Sequence, residues 1–229
     1  MPTALLETPD FLHAFKFGIE TKPIEAIITL HEALMPYGQF FTLAPNNKML
    51  FNNIKEEAFV ILMALGCFSV CHRDTGLHIG TSFAPTIIGL IDGYSIFYNV
   101  KQRPQHCIQA ETLCSGWLIP LNIFVEKCDE LNLWHDIAKV LAQRLMIMST
   151  RDNELVGNDI YKKIKILLTE LWLYPEEIRN QITVASFIHR RTRVSKSRIM
   201  GILAELKKGN YIQTKNGVLI SVTKLPESF

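Results

Sequence analysis

One stretch near the end of the chain, ITVASFIHRRTRVSKSRIMGILAELKKGNYIQTKNGVLISVTK, restricts the possible folds more than any other. Val184 to Arg190 has helical spacing, and Thr192 to Val194 is a turn of the length that joins two helices. Ser195 is a good N-cap for the second one, because its hydroxyl can accept from the unpaired amides of the first turn. Ile199, Ile202, Leu203 and Leu206 then make a single apolar face, and Gly209 is expected to end the helix in a left-handed C-cap. Tyr211 to Gln213 and Val218 to Val222 can pair around Lys215, Asn216 and Gly217, since Asn-Gly favours a two-residue hairpin turn. Helix, turn, helix and β-hairpin in that order describe a winged helix-turn-helix.

Charge on this segment points to a polyanion. From Thr183 to the end, nine Lys and Arg against Glu205 and Glu227 give +7, which leaves −5 for the preceding residues of a chain whose total is +2. A helix-turn-helix turns the N-terminal residues of its second helix towards base edges in the major groove. Here those residues are Ser195, Lys196, Ser197 and Arg198, opposite the apolar face. Arg190, Arg191 and Arg193 precede them, where they are expected to hold phosphates, and Lys215 stands at the tip of the wing. Double-stranded DNA is the expected partner. The alternative is a protein-interaction module in which the winged helix is an electrostatic platform. Sequence preference separates the two, because any basic surface binds DNA weakly.

Upstream, the periodicity changes at Pro120. Up to about Asn46 the spacing of Phe11, Phe15, Ile19, Ile24, Ile27, Ile28 and Leu34 predicts helices. Met49 to Phe51, Phe59 to Leu65 and Cys67 to Cys71 read as strands, and Asp74, Thr75 and Gly76 as a hairpin turn that places His72 opposite His78. Further β-rich or turn-rich pieces lie at Pro85 to Gly93, Tyr94 to Val100, Cys107 to Thr112 and Trp117 to Pro120, so an antiparallel barrel or roll is expected. After Pro120, LWHDIAKVLAQRLMIMSTRDNEL places Trp134, Ile137, Leu141, Leu145, Met148 and Leu155 at threes and fours. Such a stripe suits self-association into a homodimer, or packing against the β unit of the same chain. The expected domains are 1–132, a roll with flanking helices; 133–157, a dimerisation helix; and 158–229, the winged helix.

Other functions are argued against by what is missing from the pattern. The longest apolar run, Ala58 to Val70, has 13 residues, short of the roughly 20 of a membrane span, so it reads as buried strand and no membrane partner is expected. The start carries no basic residue ahead of its apolar stretch, which does not resemble an export signal, and the cytoplasm is the expected location. The cysteines, Cys67, Cys71, Cys107, Cys114 and Cys128, are odd in number and form no C-x-x-C pair. They read as reduced thiols, buried and structural, with thiol sensing as the alternative. No metal site, no cofactor and no catalytic constellation is indicated, so the chain is not expected to be an enzyme.

The segment VSKSRIMGILAELKKGNYI resembles the recognition helix and following residues of the CRP/FNR superfamily of bacterial transcription regulators, and the resemblance extends over most of the chain. FIHRRTRVSKS, KKGNYI and LISVTKLPESF resemble more closely its enterobacterial subgroup named for inhibition of hydrogen peroxide resistance. The resemblance implies an α+β chain: an N-terminal cyclic-nucleotide-binding-like β-roll, a long dimerisation helix and a C-terminal winged helix-turn-helix. It also implies a homodimeric regulator with a link to oxidative stress. Departures limit it. Cyclic-nucleotide-binding members have a Gly-Glu pair and an Arg-Ser pair where this chain has Gly89 followed by Leu90 and Arg103 followed by Pro104, which argues against cyclic AMP and leaves the effector unassigned. On the recognition helix Lys196 matches in charge, but Ser197 and Gly201 replace an acid and a second base, so the family's usual DNA site does not carry over. No cysteine precedes Cys67, so the superfamily's N-terminal iron–sulfur cluster is not indicated.

Overall fold

A computed structural model describes residues 14–51, 54–100, 105–155 and 158–228 of the chain. Arg103, Pro104, Phe11 and Gly157, all singled out in the sequence, lie outside the described residues. The chain divides into two compact units, one from Lys22 to Gln143 and one joining the residues up to Thr21 to Arg144–Phe229.

The first unit is a β-roll with helices on one side. Two four-stranded antiparallel sheets are formed by β1 (Gln39–Leu43), β2 (Lys48–Leu50), β3 (Phe59–Leu65), β4 (Cys67–His72), β5 (His78–Phe83), β6 (Thr86–Ile88), β7 (His106–Ala110) and β8 (Cys114–Pro120). Their orders are β1-β8-β3-β6 and β2-β7-β4-β5. The apolar run noted in the sequence is the reason the unit holds together. Val60, Ile61, Leu62 and Met63 are all fully buried because β3 is covered on both faces. Val60 and Leu62 pack with Ile27, Leu30 and Leu34 of α2 (Ile24–Leu34) and with Phe124 and Cys128 of α4 (Leu121–Glu130). Ile61 and Met63 point the other way, into an inter-sheet core with Phe68, Ile108 and Ala110. A strand buried on both faces reads as a continuous apolar run, and one with a single buried face alternates. Gly66 ends it at φ +103°, where a Cβ would stand 2.5 Å from the Leu113 carbonyl, so the chain turns at once into β4.

Three expectations need correction in this unit. Gln39 to Leu43 is a strand, where helical material was expected. Tyr94 to Val100, expected β-rich or turn-rich, falls largely within helix α3 (Leu90–Phe97). That helix mixes its faces: Asp92, Gly93 and Ser95 are buried beside Leu90, with Ile96 and Phe97 packed against the core, while Ile91 and Tyr94 are more than half exposed. Its apolar residues are split between core and solvent, so the sequence shows no single core-facing stripe. Third, His72 does not face His78. A register shift between Val70 and Cys71 pairs Cys71 with His78, and His72 pairs with His106 on β7.

The second unit contains α1 (Ala14–Glu20), α6 (Ile160–Trp172), α7 (Glu176–Arg179), α8 (Val184–Thr192), α9 (Lys196–Lys208) and a two-stranded wing of β9 (Ile212–Lys215) and β10 (Val218–Val222). Helix α5 (Trp134–Leu155) runs through the division between the units. Ile164, Leu168, Leu171, Phe187, Ile188, Ile199, Leu203, Leu206 and Leu219 are buried at the heart of the second unit. The Tyr161 hydroxyl on α6 donates to the Pro226 carbonyl at 2.7 Å, with Lys165 on the same oxygen at 3.1 Å, which ties the C-terminal segment down. Burial pushes the Tyr161 phenol up to about 12.

Candidate nucleic-acid interface

The turn between α8 and α9 is built from local bonds. Arg193 takes the left-handed conformation at φ 60° and closes α8 by donating its amide to the His189 carbonyl. The Val194 amide donates to the Thr192 hydroxyl at 3.2 Å, and His189 Nδ1 donates to the Val194 carbonyl at 2.8 Å. His189 is thus a lock on the turn. Ser195 then caps α9, its hydroxyl accepting from the Arg198 amide at 3.4 Å. The left-handed residue after α9 is Asn210, at φ 59°, where Gly209 was expected. Gly209 has φ −77° and leaves room for the Tyr211 ring, 2.4 Å from where a Cβ would be.

Helix α9 has two unlike faces. Ile199, Leu203 and Leu206 are buried against the domain, while Ser195, Lys196, Ser197, Arg198, Met200 and Gly201 are exposed. A Cβ at Gly201 would meet nothing within 4 Å, so the front of the helix is open along its first two turns. Arg193 is exposed beside it and Arg190 is half-buried. In the wing, Asn216 and Gly217 both have positive φ, 52° and 81°, as a type I′ turn requires. The turn leaves Lys215 exposed at the tip. The Val184 amide donates to the Gly217 carbonyl at 2.9 Å, so the wing is fastened to the start of α8.

Arg191 is the exception among the expected contacts. Its side chain is 1% exposed and its Nε lies 3.6 Å from Glu170 Oε1 on α6. Its Nη2 donates to the Tyr174 hydroxyl at 3.2 Å, which in turn donates to Glu170 at 3.1 Å. The guanidinium also sits 3.4 Å above the centre of the Phe187 ring. The residue holds α8 against α6 inside the domain and has no surface with which to meet DNA. Sequence reasoning missed this cluster, though a signal existed. Glu170 interrupts the buried face of α6 formed by Ile164, Leu167, Leu168 and Leu171, and a buried acid needs a cation. Arg151 of α5 belongs to the same neighbourhood: burial lowers its guanidinium below its ordinary value and Glu170 pulls against this.

The residues expected at a dimer interface divide in two. Ile137 is 3% exposed and packs in the helix-side core of the roll, with Leu141 partly buried against it. Both serve their own chain, the alternative weighed for this stripe. Trp134 is 43% exposed, with its indole N–H donated to Asp129 at 2.6 Å. Leu145 and Met148 are exposed, as is Met146 between them. The Leu155 side chain lies outside the described residues.

Residues 160–227 match a family model described as winged helix-turn-helix DNA binding. Over 210 residues, 91% of this chain, the sequence is 31% identical to the inhibitor of hydrogen peroxide resistance of Escherichia coli K12, covering 98% of that protein. The chain belongs to that family. The Salmonella typhimurium member is 30% identical over 209 residues, again 91% of this chain and 98% of that one. Among solved structures, the fold is similar to the c-di-GMP-responsive global regulator of Xanthomonas campestris, with TM-score 0.70 and 12% identity over 86% of this chain and 100% of that one. It is also similar to a CRP/FNR-family transcriptional regulator of Thermus thermophilus, with TM-score 0.62 and 15% identity over 80% of this chain and 94% of that one. The fold is thus that of CRP/FNR regulators, as the sequence implied. The findings support DNA-binding transcription regulation, and the neighbours are regulators, not enzymes. Among the described residues no helix is long and apolar enough to cross a membrane, and no three His, Cys, Asp or Glu are grouped as metal ligands would be.

Proposed function

We propose that the chain is a sequence-specific regulator that binds DNA as a homodimer, with α9 in the major groove. The observation that carries this reading is the two-faced α9, its first turns exposing Lys196, Ser197 and Arg198 while Ile199 and Leu203 fix its orientation in the domain. Lys196, Ser197 and Arg198 read base edges. Arg190, Arg193, Ser195 and Lys215 hold phosphates on either side, and Arg191 drops out because it is buried. Leu145, Met146 and Met148 supply the exposed apolar surface on α5 for a second copy, alongside Trp134. Cyclic AMP is not the effector proposed: Leu90 follows Gly89 where a ribose-binding carboxylate would be needed, and its side chain is part of the apolar core. The family's name suggests that the regulated response is hydrogen peroxide resistance.

The test is selection of a randomised duplex library on the purified, reduced protein at physiological salt. A two-fold-symmetric motif with half-sites about one helical turn apart is expected. Arg198→Ala should relax the preference at one base position at a cost of about 1–3 kcal/mol. Lys215→Ala should weaken all sequences alike and lower the salt slope by about one. No enriched motif from the reduced protein would mean either that an effector is required or that the interaction-module reading holds.

A further inference from the structure

Outside the winged helix, the fold brings two thiols together that are far apart in sequence. Cys71 on β4 and Cys107 on β7 are direct partners in the antiparallel ladder. The type of pair follows from its neighbours. The Arg73 amide donates to the Gln105 carbonyl, and the Glu111 amide donates to the Cys67 carbonyl. Hydrogen-bonded pairs alternate along such a ladder, so Cys71 and Cys107 form one, with Cα atoms about 5.5 Å apart. That separation lies inside the range of disulfides, about 4.4–6.8 Å. Residues directly opposite project on the same face, so the two sulfurs share one side of the sheet.

We propose that Cys71 and Cys107 are an oxidisable pair that closes a reversible cross-strand disulfide when it meets a hydroperoxide. The thiolate of one attacks the peroxide oxygen, breaking the O–O bond to give a sulfenic acid and, after protonation, an alcohol or water. The second thiol attacks that sulfur, the S–S bond forms, and the hydroxyl leaves as water. Two thiols give up two electrons and the peroxide takes both.

The surroundings favour this pair over the other three cysteines. Cys67 lies four residues from Cys71 on the same strand, about 13 Å away by the strand rise. Cys114 is fully buried in the inter-sheet core, its thiol donates to the Cys67 carbonyl, and burial pushes it up to about 11. Cys128 is sealed in the other core, where burial pushes it up to about 12. Burial also raises Cys107, but Lys48 and Arg73 pull against it. Cys71 and Cys107 are themselves 4% and 3% exposed, yet Leu50, which pairs with Cys107 on edge strand β2, is 46% exposed. Arg73, in the next hydrogen-bonded pair along the ladder, is exposed as well, so exposed residues flank the pair both across and along the sheet. In an antiparallel pair the Cβ atoms start about 4.5–5.5 Å apart, and further apart in hydrogen-bonded than in other pairs, against about 3.8 Å in a relaxed disulfide. Closing the bond draws the strands together, and strained disulfides are the readily reduced ones. A register shift lies beside Cys71 on the other side of the strand, in its pairing with β5.

The experiment treats the reduced full chain with hydrogen peroxide, blocks remaining thiols by alkylation, digests without reduction and maps cross-linked peptides by mass. The expected product joins the Cys71 and Cys107 peptides, lighter by two hydrogens, within a single chain. A glutathione buffer should reverse it, and Cys67→Ser should leave it in place. A link between any other pair, a link between two chains, a sulfenic or sulfinic acid that persists at either residue without a link, or no oxidation at all would overturn the proposal. Because the wild-type chain carries the assay, the result does not depend on a variant's folding.

Discussion

The winged helix and the roll handle polar groups in opposite ways. In the winged helix most of the cations stand outside, and a buried ion pair, Glu170 with Arg191, is a structural clamp. In the roll, polar groups turn inward at several places. Asp92 is 4% exposed and accepts from His106 Nδ1 at 3.2 Å, and the Ser69 hydroxyl, fully buried, donates to Glu111. His78 is buried with its Nε2 on the Thr81 hydroxyl. A surface meant for a polyanion keeps its charge solvated until the ligand arrives. A folded interior can keep polar groups only when each has a partner. The comparison shows that the number of charges in a segment says little until burial divides those that hold the fold from those that face a ligand.

The sharpest way to break this contrast is to remove one half of the clamp. Glu170→Ala leaves the Arg191 guanidinium buried without its carboxylate and should destabilise the winged helix by about 3–5 kcal/mol, read by chemical denaturation. Replacing both together, Glu170→Leu with Arg191→Met, should recover most of that loss. If the single change costs under about 1 kcal/mol, Arg191 is not a clamp. Ser195→Ala comes next. It removes the cap of α9 and should cost about 0.5–1 kcal/mol, with DNA affinity falling further than Tm if Ser195 also holds a phosphate.

Gly201→Ala should act in the other direction. The glycine sits in an exposed helix interior with open space in front, so alanine should stabilise the chain by about 0.8–1 kcal/mol. A rise in Tm accompanied by a loss of DNA affinity would mean that the missing side chain lets the helix approach the groove. A rise in both would remove Gly201 from the interface. The smallest effect belongs to the roll. Burial lowers the His31 imidazole below its ordinary value, the bond to the Thr86 carbonyl opposes this, and Lys22 adds to the lowering. The folded state therefore keeps His31 neutral where the unfolded chain takes up a proton. Stability contributed by the neutral ring is present above about pH 6.5 and is lost as the pH falls below it. His31→Gln should flatten unfolding free energy against pH over that interval, and an unchanged slope would assign the acid sensitivity elsewhere.

What could be read in advance follows the same division. The winged helix was legible because its signals are local. A cap at Ser195, an Asn-Gly turn at Asn216 and the spacing of Ile199, Leu203 and Leu206 each fix their own few residues. Even there the last step failed by one position: Gly209 still donates its amide to the Glu205 carbonyl in helical fashion, and Asn210 takes the left-handed conformation after it. The roll was legible as strands but not as a sheet. Helix α3 stayed hidden because its apolar residues are divided between core and solvent while Asp92 and Ser95 are buried, and Gln39 to Leu43 because its pairing partner is β8, more than seventy residues on.

By itself the sequence determined the order of parts, the cationic front of α9 and the long α5, since helix periodicity, capping and turn chemistry act over a few residues. Only the tertiary structure decided that Arg191 is a clamp and Arg198 a surface group, that Ile137 serves its own core while Leu145 stays exposed, and that Cys71 lies opposite Cys107. Burial and strand register join residues distant along the chain, and no local pattern records which of them will meet.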